Sequence, residues 1–182
     1  MALRATIYKA EIHVADNDRA YYGSHAVTVA RHPSETDERL MVRLLAYALW
    51  VEADERLVFT RGLSDTDEPD LWNLDLTGAI QQWVEVGLPD ERRLLKACGR
   101  SGRVIVLAYG RGVDIWWSGV RDKLGRAANL QAWALDAEAT RALTALAGRN
   151  MSLSVNVTDR SAWVSCEHGD VNLDLRCLRG EG

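Results

Sequence analysis

Cysteine is scarce and never paired in this chain. Cys98, Cys166 and Cys177 lie far apart, and no C-x-x-C occurs. That spacing excludes the usual structural zinc sites. The three thiols read instead as reduced, small side chains of the kind found where disulfides do not persist. Proline is as rare, at Pro33, Pro69 and Pro89 only. No Gly/Ser linker, repeat or low-complexity tract interrupts the chain, so one domain over residues 1–182 is expected. No apolar run approaches the roughly 20 residues that a membrane-spanning helix needs. The first stretch, M-A-L-R-A-T-I-Y-K-A-E-I-H-V, is broken by Arg4, Lys9 and Glu11, so it does not read as a signal peptide. A cytoplasmic location is the expectation. An excess of positive charge is also missing: 22 Lys and Arg stand against 26 Asp and Glu, a net charge of −4. Nucleic-acid binding would therefore need a local basic patch working against the overall sign.

Familiar catalytic signatures are absent too. There is no P-loop, no G-x-G-x-x-G and no nucleophile-elbow serine. His13, His25, His32 and His168 are scattered, and only His32 stands beside other polar candidates, Arg31, Ser34 and Glu35. The seven tryptophans fit a core better than a base-stacking platform, which normally comes with a basic groove.

What remains is a pattern of strands and helices with acids in odd places. Residues 3–15 alternate with a period of two, Asp16-Asn17-Asp18 is turn chemistry, and residues 21–31 follow as a second strand, giving an N-terminal hairpin. Ser34, with Asp37 three residues on, reads as the start of a helix. Met41, Leu44, Leu45, Ala48 and Val51 share one face of that helix. Residues 57–63 read as a short strand and the acidic 64–70 as a loop. A strand then carries Trp83, Val84, Glu85 and Val86, and Pro89-Asp90-Glu91 opens a helix that Gly99 or Gly102 closes. Val104-Ile105-Val106-Leu107 is a strand buried on both faces. A helix at 112–124, a strand at 130–135 and a helix at 137–148 come next, then antiparallel strands at 153–157, 162–165 and 171–175. The class is α/β or α+β, a mixed sheet flanked by helices.

Glu85 inside an apolar strand raises the chemical question. Asp75 precedes it by ten positions across a bend at Thr77-Gly78. Two carboxylates converging at strand ends would make an oxygen-rich site with open positions, which suits Mg²⁺. The competing explanation is an ion pair between Glu85 and Arg92 or Arg93. Glu38, with Glu35 three residues before it, falls on the apolar side of the first helix. It either compensates the helix dipole or reaches the same site. The basic run Arg92, Arg93, Lys96, Arg100 and Arg103 could position a nucleic-acid backbone.

Four stretches carry a resemblance over essentially the whole chain: M-A-L-R-A-T-I-Y-K-A at the start, A-R-H-P-S-E-T-D-E-R (30–39), F-T-R-G-L (59–63) and G-L-P-D-E-R-R-L-L-K-A-C (87–98). They resemble the YaeQ family of small bacterial proteins, regarded as a variation on the PD-(D/E)XK nuclease fold. The resemblance implies that Asp75 is the first acid, Glu85 the second and Glu38 the helix-one acid, with Mg²⁺ held by Asp75 and Glu85. The leading reading is then a Mg²⁺-dependent nuclease or phosphodiesterase, with nucleic acid held by Arg92 and Arg93 of the basic run. Gly87 stands where the superfamily has its lysine, and Lys96 on the next helix is the candidate replacement. The acidic loop before Asp75 leaves little room for the usual hairpin. With the lysine gone, the alternative is a catalytically retired fold acting as a binding or regulatory module with a protein partner.

Overall fold

The computed structural model describes residues 3–180. Its chain runs β1 (Thr6–Asp16), β2 (Tyr21–Arg31), α1 (Asp37–Trp50), β3 (Leu57–Phe59), β4 (Leu71–Leu74), β5 (Ile80–Val86), α2 (Glu91–Arg100), β6 (Ser101–Ala108), α3 (Val113–Val120), β7 (Leu130–Ala134), α4 (Ala137–Leu143), β8 (Asn150–Thr158), β9 (Ser161–Cys166), β10 (Gly169–Asp174) and β11 (Arg176–Arg179). Short 3-10 turns occupy Gly62–Ser64 and Thr144–Leu146.

The strands form two mixed sheets rather than the single one expected. The first has the order β10-β9-β8-β1-β2, the second β11-β7-β6-β5-β4-β3. In the first sheet the N-terminal hairpin and the C-terminal meander are joined by parallel pairing of β1 with β8, Lys9 opposite Asn150 through Asp16 opposite Val157. In the second, β5, β6 and β7 run parallel, while β3, β4 and β11 pair antiparallel at the two sides. Along β1 the side chains Tyr8, Ala10, Ile12 and Val14 are buried while Ile7, Lys9, Glu11 and His13 are exposed, the alternation of a sheet with one wet face.

Helix α1 is buried from Leu40 to Leu49. Its side chains share one cluster with β1, β2 and β8 and with Val84, Val86, Ile105 and Leu107 of the second sheet. It is therefore the common filling between the sheets. The opposite face of the second sheet, including Trp83, Val104 and Val106, packs on Leu94 and Ala97 of α2 and Val113 and Val120 of α3. No helix among the described residues is long and apolar enough to cross a membrane.

Three local expectations change. The N-cap of α1 is Thr36, whose hydroxyl accepts from Arg39 N at 3.1 Å. Ser34 instead bonds His32 Nδ1 at 2.7 Å in the preceding turn. The stretch read as strand 57–63 is strand only to Phe59, because Gly62 takes φ +55° and turns the chain. Most important, there is room for the hairpin that the acidic loop seemed to deny: Leu71–Leu74 pairs antiparallel with β5, Leu71 opposite Val84 and Leu74 opposite Ile80.

Candidate functional site

The β4–β5 hairpin decides which acid accompanies Glu85. Asp75 sits in the tight turn at the closed end of the hairpin, where its N–H donates to Ala79 O at 2.9 Å. Its Oδ1 accepts from Thr77 N (2.8 Å), Thr77 Oγ1 (2.6 Å) and Ala79 N (3.0 Å), and Oδ2 accepts from Gln81 Nε2 (2.8 Å). Those bonds, the Thr77 hydroxyl first, hold its carboxyl below the usual range. Glu85 lies five residues beyond Ile80 along β5, about 16 Å at strand rise. Asp75 is thus a turn-capping residue, and the Asp75–Glu85 pair expected to hold Mg²⁺ is not brought together.

The acid beside Glu85 is Asp70, the residue just before β4. Its N–H donates to Val84 O at 3.1 Å, and its Oδ2 accepts from Val86 N at 2.7 Å, so the hairpin register itself places it at the open end of β5. Asp70 is 1% exposed and Glu85 4%. Neither charge is left alone. Arg39 Nη2 donates to Asp70 Oδ1 at 2.6 Å and Arg39 Nη1 to Glu35 Oε1 at 3.0 Å. Arg43, buried in α1, donates to both Glu35 oxygens at 3.1 Å, with Nε 4.0 Å from Asp70 Oδ1. Arg93, one turn into α2 and bonded through its N–H to the N-cap Asp90 at 2.8 Å, turns inward and donates from Nε to Glu85 Oε1 at 2.6 Å. Trp83 Nε1 donates to the same oxygen at 2.9 Å. The pairing of Glu85 with a neighbouring arginine is therefore what the structure contains.

Glu85 Oε2 has no hydrogen-bond partner among the described residues. Burial, and after it the charge of Asp70, raise the Glu85 carboxyl to about 7 against the lowering effects of Arg93 and Trp83. The pair faces a pocket of about 330 Å³. Asp65, Glu68, Asp70 and Glu85 line it against Arg39 and Arg93, so the lining is acidic when ionised. Gly87 lies on its wall with φ +105° and nothing within 4 Å of the position a Cβ would take. A side chain at position 87 would meet open space, but the backbone there suits glycine.

The other expected residues scatter around this centre. Glu38 accepts from Thr140 Oγ1 of α4 at 2.8 Å, so it ties α1 to α4. It reaches the centre only through the field at Tyr109, which burial raises and which also feels Arg39, Glu38, Asp70 and Glu35. Lys96 is a surface residue bonded to Asp67 Oδ1 at 2.8 Å, and does not approach Glu85. Arg92 is exposed and Arg93 is committed to the pocket. Sequence reasoning missed Asp70, Arg39, Arg43 and Tyr109. The available signal for Asp70 was the dipeptide Pro69-Asp70 immediately ahead of Leu-Trp-Asn-Leu.

A divalent cation can be tested against these donors. Among the described residues no three His, Cys, Asp or Glu side chains form a ligand group. Mg²⁺ asks less: it keeps several waters and is commonly held by one or two carboxylates. Asp70 and Glu85 both line the pocket as candidate donors, although both Asp70 oxygens already accept bonds, Oδ1 from Arg39 and Oδ2 from Val86 N. Each has one oxygen held by a guanidinium, the outer support ligating carboxylates usually have, and Glu85 keeps one oxygen unbonded.

Comparison with known proteins follows the same outline. The family model described as YaeQ protein matches residues 1–175. The YaeQ proteins of Salmonella typhi and Escherichia coli K12, both described as uncharacterized, are 46% identical over 177 residues and 45% over 176, covering 96% of each chain. The crystal structure of YaeQ from Xanthomonas axonopodis pv. citri superposes with a TM-score of 0.93 at 47% identity, covering 97% of this chain and 99% of that one. That of Pseudomonas syringae gives 0.92 at 38% identity, covering 97% of both chains. Hairpin, helices and both sheets are shared over nearly the full length, and this chain belongs to the YaeQ family.

Proposed function

We propose that the Asp70–Glu85 pocket is a divalent-cation centre for hydrolysing phosphodiesters, Asp70 taking the place expected of Asp75. The observation that carries this reading is Glu85: a buried carboxylate beside a second carboxylate, with one oxygen unbonded and a proton held to about pH 7 in an acidic pocket. A proton held there by burial and a neighbouring negative charge marks a place where a cation is favoured.

Asp70 and Glu85 would hold Mg²⁺ with waters in the remaining positions. Bound there, the ion would polarise a phosphoryl oxygen and acidify a bound water. The chain's own residues do the rest. Arg39 and Arg93 fix the two carboxylates through Oδ1 and Oε1, leaving Glu85 Oε2 to lose its proton on loading. Trp83 and the burial of β5 keep bulk water from that side. The nuclease-fold resemblance implies a mixed sheet flanked by helices with Asp75 as the first acid, and this reading moves that role to Asp70 at the start of β4 while keeping Glu85 at the end of β5. Gly87 and the closed ion pairs favour the rival reading, a retired centre that binds no cation and serves as a binding module.

Calorimetric titration with Mn²⁺ separates the two. One weak site is expected, removed by Asp70→Asn and by Glu85→Gln and retained in Asp75→Asn. At pH 7, titrations in buffers of different ionisation heat should report release of about half a proton, because Glu85 is half-protonated there. No site in the parent protein, or a site lost in Asp75→Asn and kept in Asp70→Asn, would overturn the metal reading.

A further inference from the structure

The basic run of α2 does not face open solvent. Arg92, Lys96 and Arg100 are exposed and fall at i, i+4 and i+8, a single stripe with about 6 Å of helix rise between neighbours. Most of that stripe is already taken, by the acidic segment 64–68. Lys96 Nζ donates to Asp67 Oδ1 at 2.8 Å and Arg100 Nη1 to Asp67 O at 3.4 Å. Arg93 donates to Thr66 O at 2.5 Å and Glu68 O at 2.7 Å in addition to Glu85. Asp67 lies in the field of Lys96 first, then Arg100 and Arg93, and its carboxyl is held below its usual value. One surface anion thus gathers the cations of a helix face.

Beyond α2, residues 64–68 are tied by Ser64 N to Arg61 O and Asp65 N to Gly62 O, both 3.1 Å, and by Arg61 N donating to Glu68 Oε2 at 3.1 Å. Residues 64, 66 and 67 are exposed, 65 and 68 half-buried, and burial begins only at Pro69. Asp67 N donates to Asp65 Oδ1 at 2.9 Å within the segment, and exposed Arg61 stands 3.9 Å from Asp65 and 3.8 Å from Glu68. A stretch anchored by exposed polar contacts opens at low cost. It also leads straight into Pro69 and Asp70 and supplies Asp65, Thr66 and Glu68 to the pocket wall.

From this we infer that segment 64–68 is an internal stand-in for a nucleic-acid backbone, and that single-stranded nucleic acid displaces it from α2 to reach the pocket while the buried Pro69 and Asp70 stay in place. The stripe is a single row along one helix face, the width of one nucleic-acid strand. Displacement frees Lys96 and Arg100, adds them to the already unpartnered Arg92, and uncovers the rim of the Asp70–Glu85 centre in the same motion. The inference deepens the phosphodiester reading and rests on it, but it concerns binding alone and is tested without metal.

The experiment is fluorescence anisotropy of a labelled single-stranded DNA 20-mer with the full chain in EDTA, over a salt series. Three contacts give a slope of about −2 in log affinity against log salt. Asp67→Asn should tighten binding about five- to tenfold by removing the competing anion. Lys96→Ala with Arg100→Ala should flatten the slope to about −0.7, the one contact of Arg92. Glu167→Gln, an exposed acid on the β9–β10 turn, controls for net charge and should leave affinity within twofold of the parent. Asp67→Asn no tighter than Glu167→Gln, an unchanged slope in the double variant, or no binding by either parent or Asp67→Asn at low salt would overturn the inference. Because EDTA removes the cation, such a result leaves the Mn²⁺ titration of Asp70 and Glu85 to stand or fall by itself.

Discussion

Replacing Glu85 by glutamine should make the protein more stable at alkaline pH and leave it nearly unchanged at acid pH. Burial raises this carboxyl from 4.5 to about 7, with Asp70 adding to the shift. The folded protein therefore holds a proton that the unfolded chain releases. Between pH 4.5 and 7 the folded state binds more protons, so stability is fully present below the unfolded value and falls as pH rises through the folded one. Each unit is worth about 1.4 kcal/mol. Integrated from pH 5 to pH 8, Glu85 alone takes about 2.5 kcal/mol from the parent's stability. Glutamine fills similar space without the charge. The attraction of Arg93 for the ionised carboxylate is already included in the value of about 7, so its loss follows the same titration. The assay is urea unfolding of parent and Glu85→Gln at pH 5, 6, 7 and 8. The variant-minus-parent difference should climb by about 2.5 kcal/mol over that range. Histidines and other acids cancel in the difference. Parallel curves would refute the reasoning, because they would mean that Glu85 is ionised in the folded protein at pH 5 and that Arg93 outweighs burial. Under the metal reading, millimolar Mn²⁺ should recover most of the parent's loss at pH 8.

Arg43→Met should cost about 3–5 kcal/mol, because Glu35 is left buried without its main partner. Adding Glu35→Gln should return part of that in denaturant titration. Gly23→Ala places a Cβ 2.8 Å from Tyr21 Oη and 3.1 Å from His25 Nε2, prising apart their 2.8 Å hydrogen bond. A loss of about 1–2 kcal/mol by thermal unfolding is expected, smaller in a Tyr21→Phe background. Asp75→Ala should lower the thermal midpoint by loosening the turn it caps, yet leave Mn²⁺ binding intact by calorimetry.

The sequence announced its long elements better than its short ones. β1 and β2 were legible because eleven-residue strands alternate cleanly, and α1 because its apolar residues repeat at helical spacing. β4 was lost because four residues, Leu-Trp-Asn-Leu, follow an acidic run that looks solvated. With β4 lost, Asp70 vanished into the loop, and Asp75 took its place as the nearest acid ahead of Glu85. Hairpin register, not distance along the chain, determines which acid meets Glu85, and register cannot be drawn for a strand that is not seen. The oddity of Glu85 was legible, since a carboxylate in an apolar strand needs a reason. Its partner Arg93 was one of two candidates, and helix phase separated them. Lys96, the candidate replacement for the missing lysine, has a helix phase that carries it to the surface, where it lies on Asp67. Arg39 and Arg43 gave no local signal, because arginines on a helix read as surface until the fold buries them.

The parallel seam between β1 and β8 joins strands that are made far apart in time. Lys9 pairs with Asn150, 141 positions later. At about 5–20 residues per second, the hairpin waits roughly 7–28 s for that strand to be made. Through that interval the edge of β1 that β8 will cover, and the side chains that α1 will share with β8, have only water or a chaperone to meet. The nascent chain of this protein therefore carries an unpaired strand edge for most of its translation, and slowing or pausing the ribosome late in the message should raise its aggregation more than the same pause placed early.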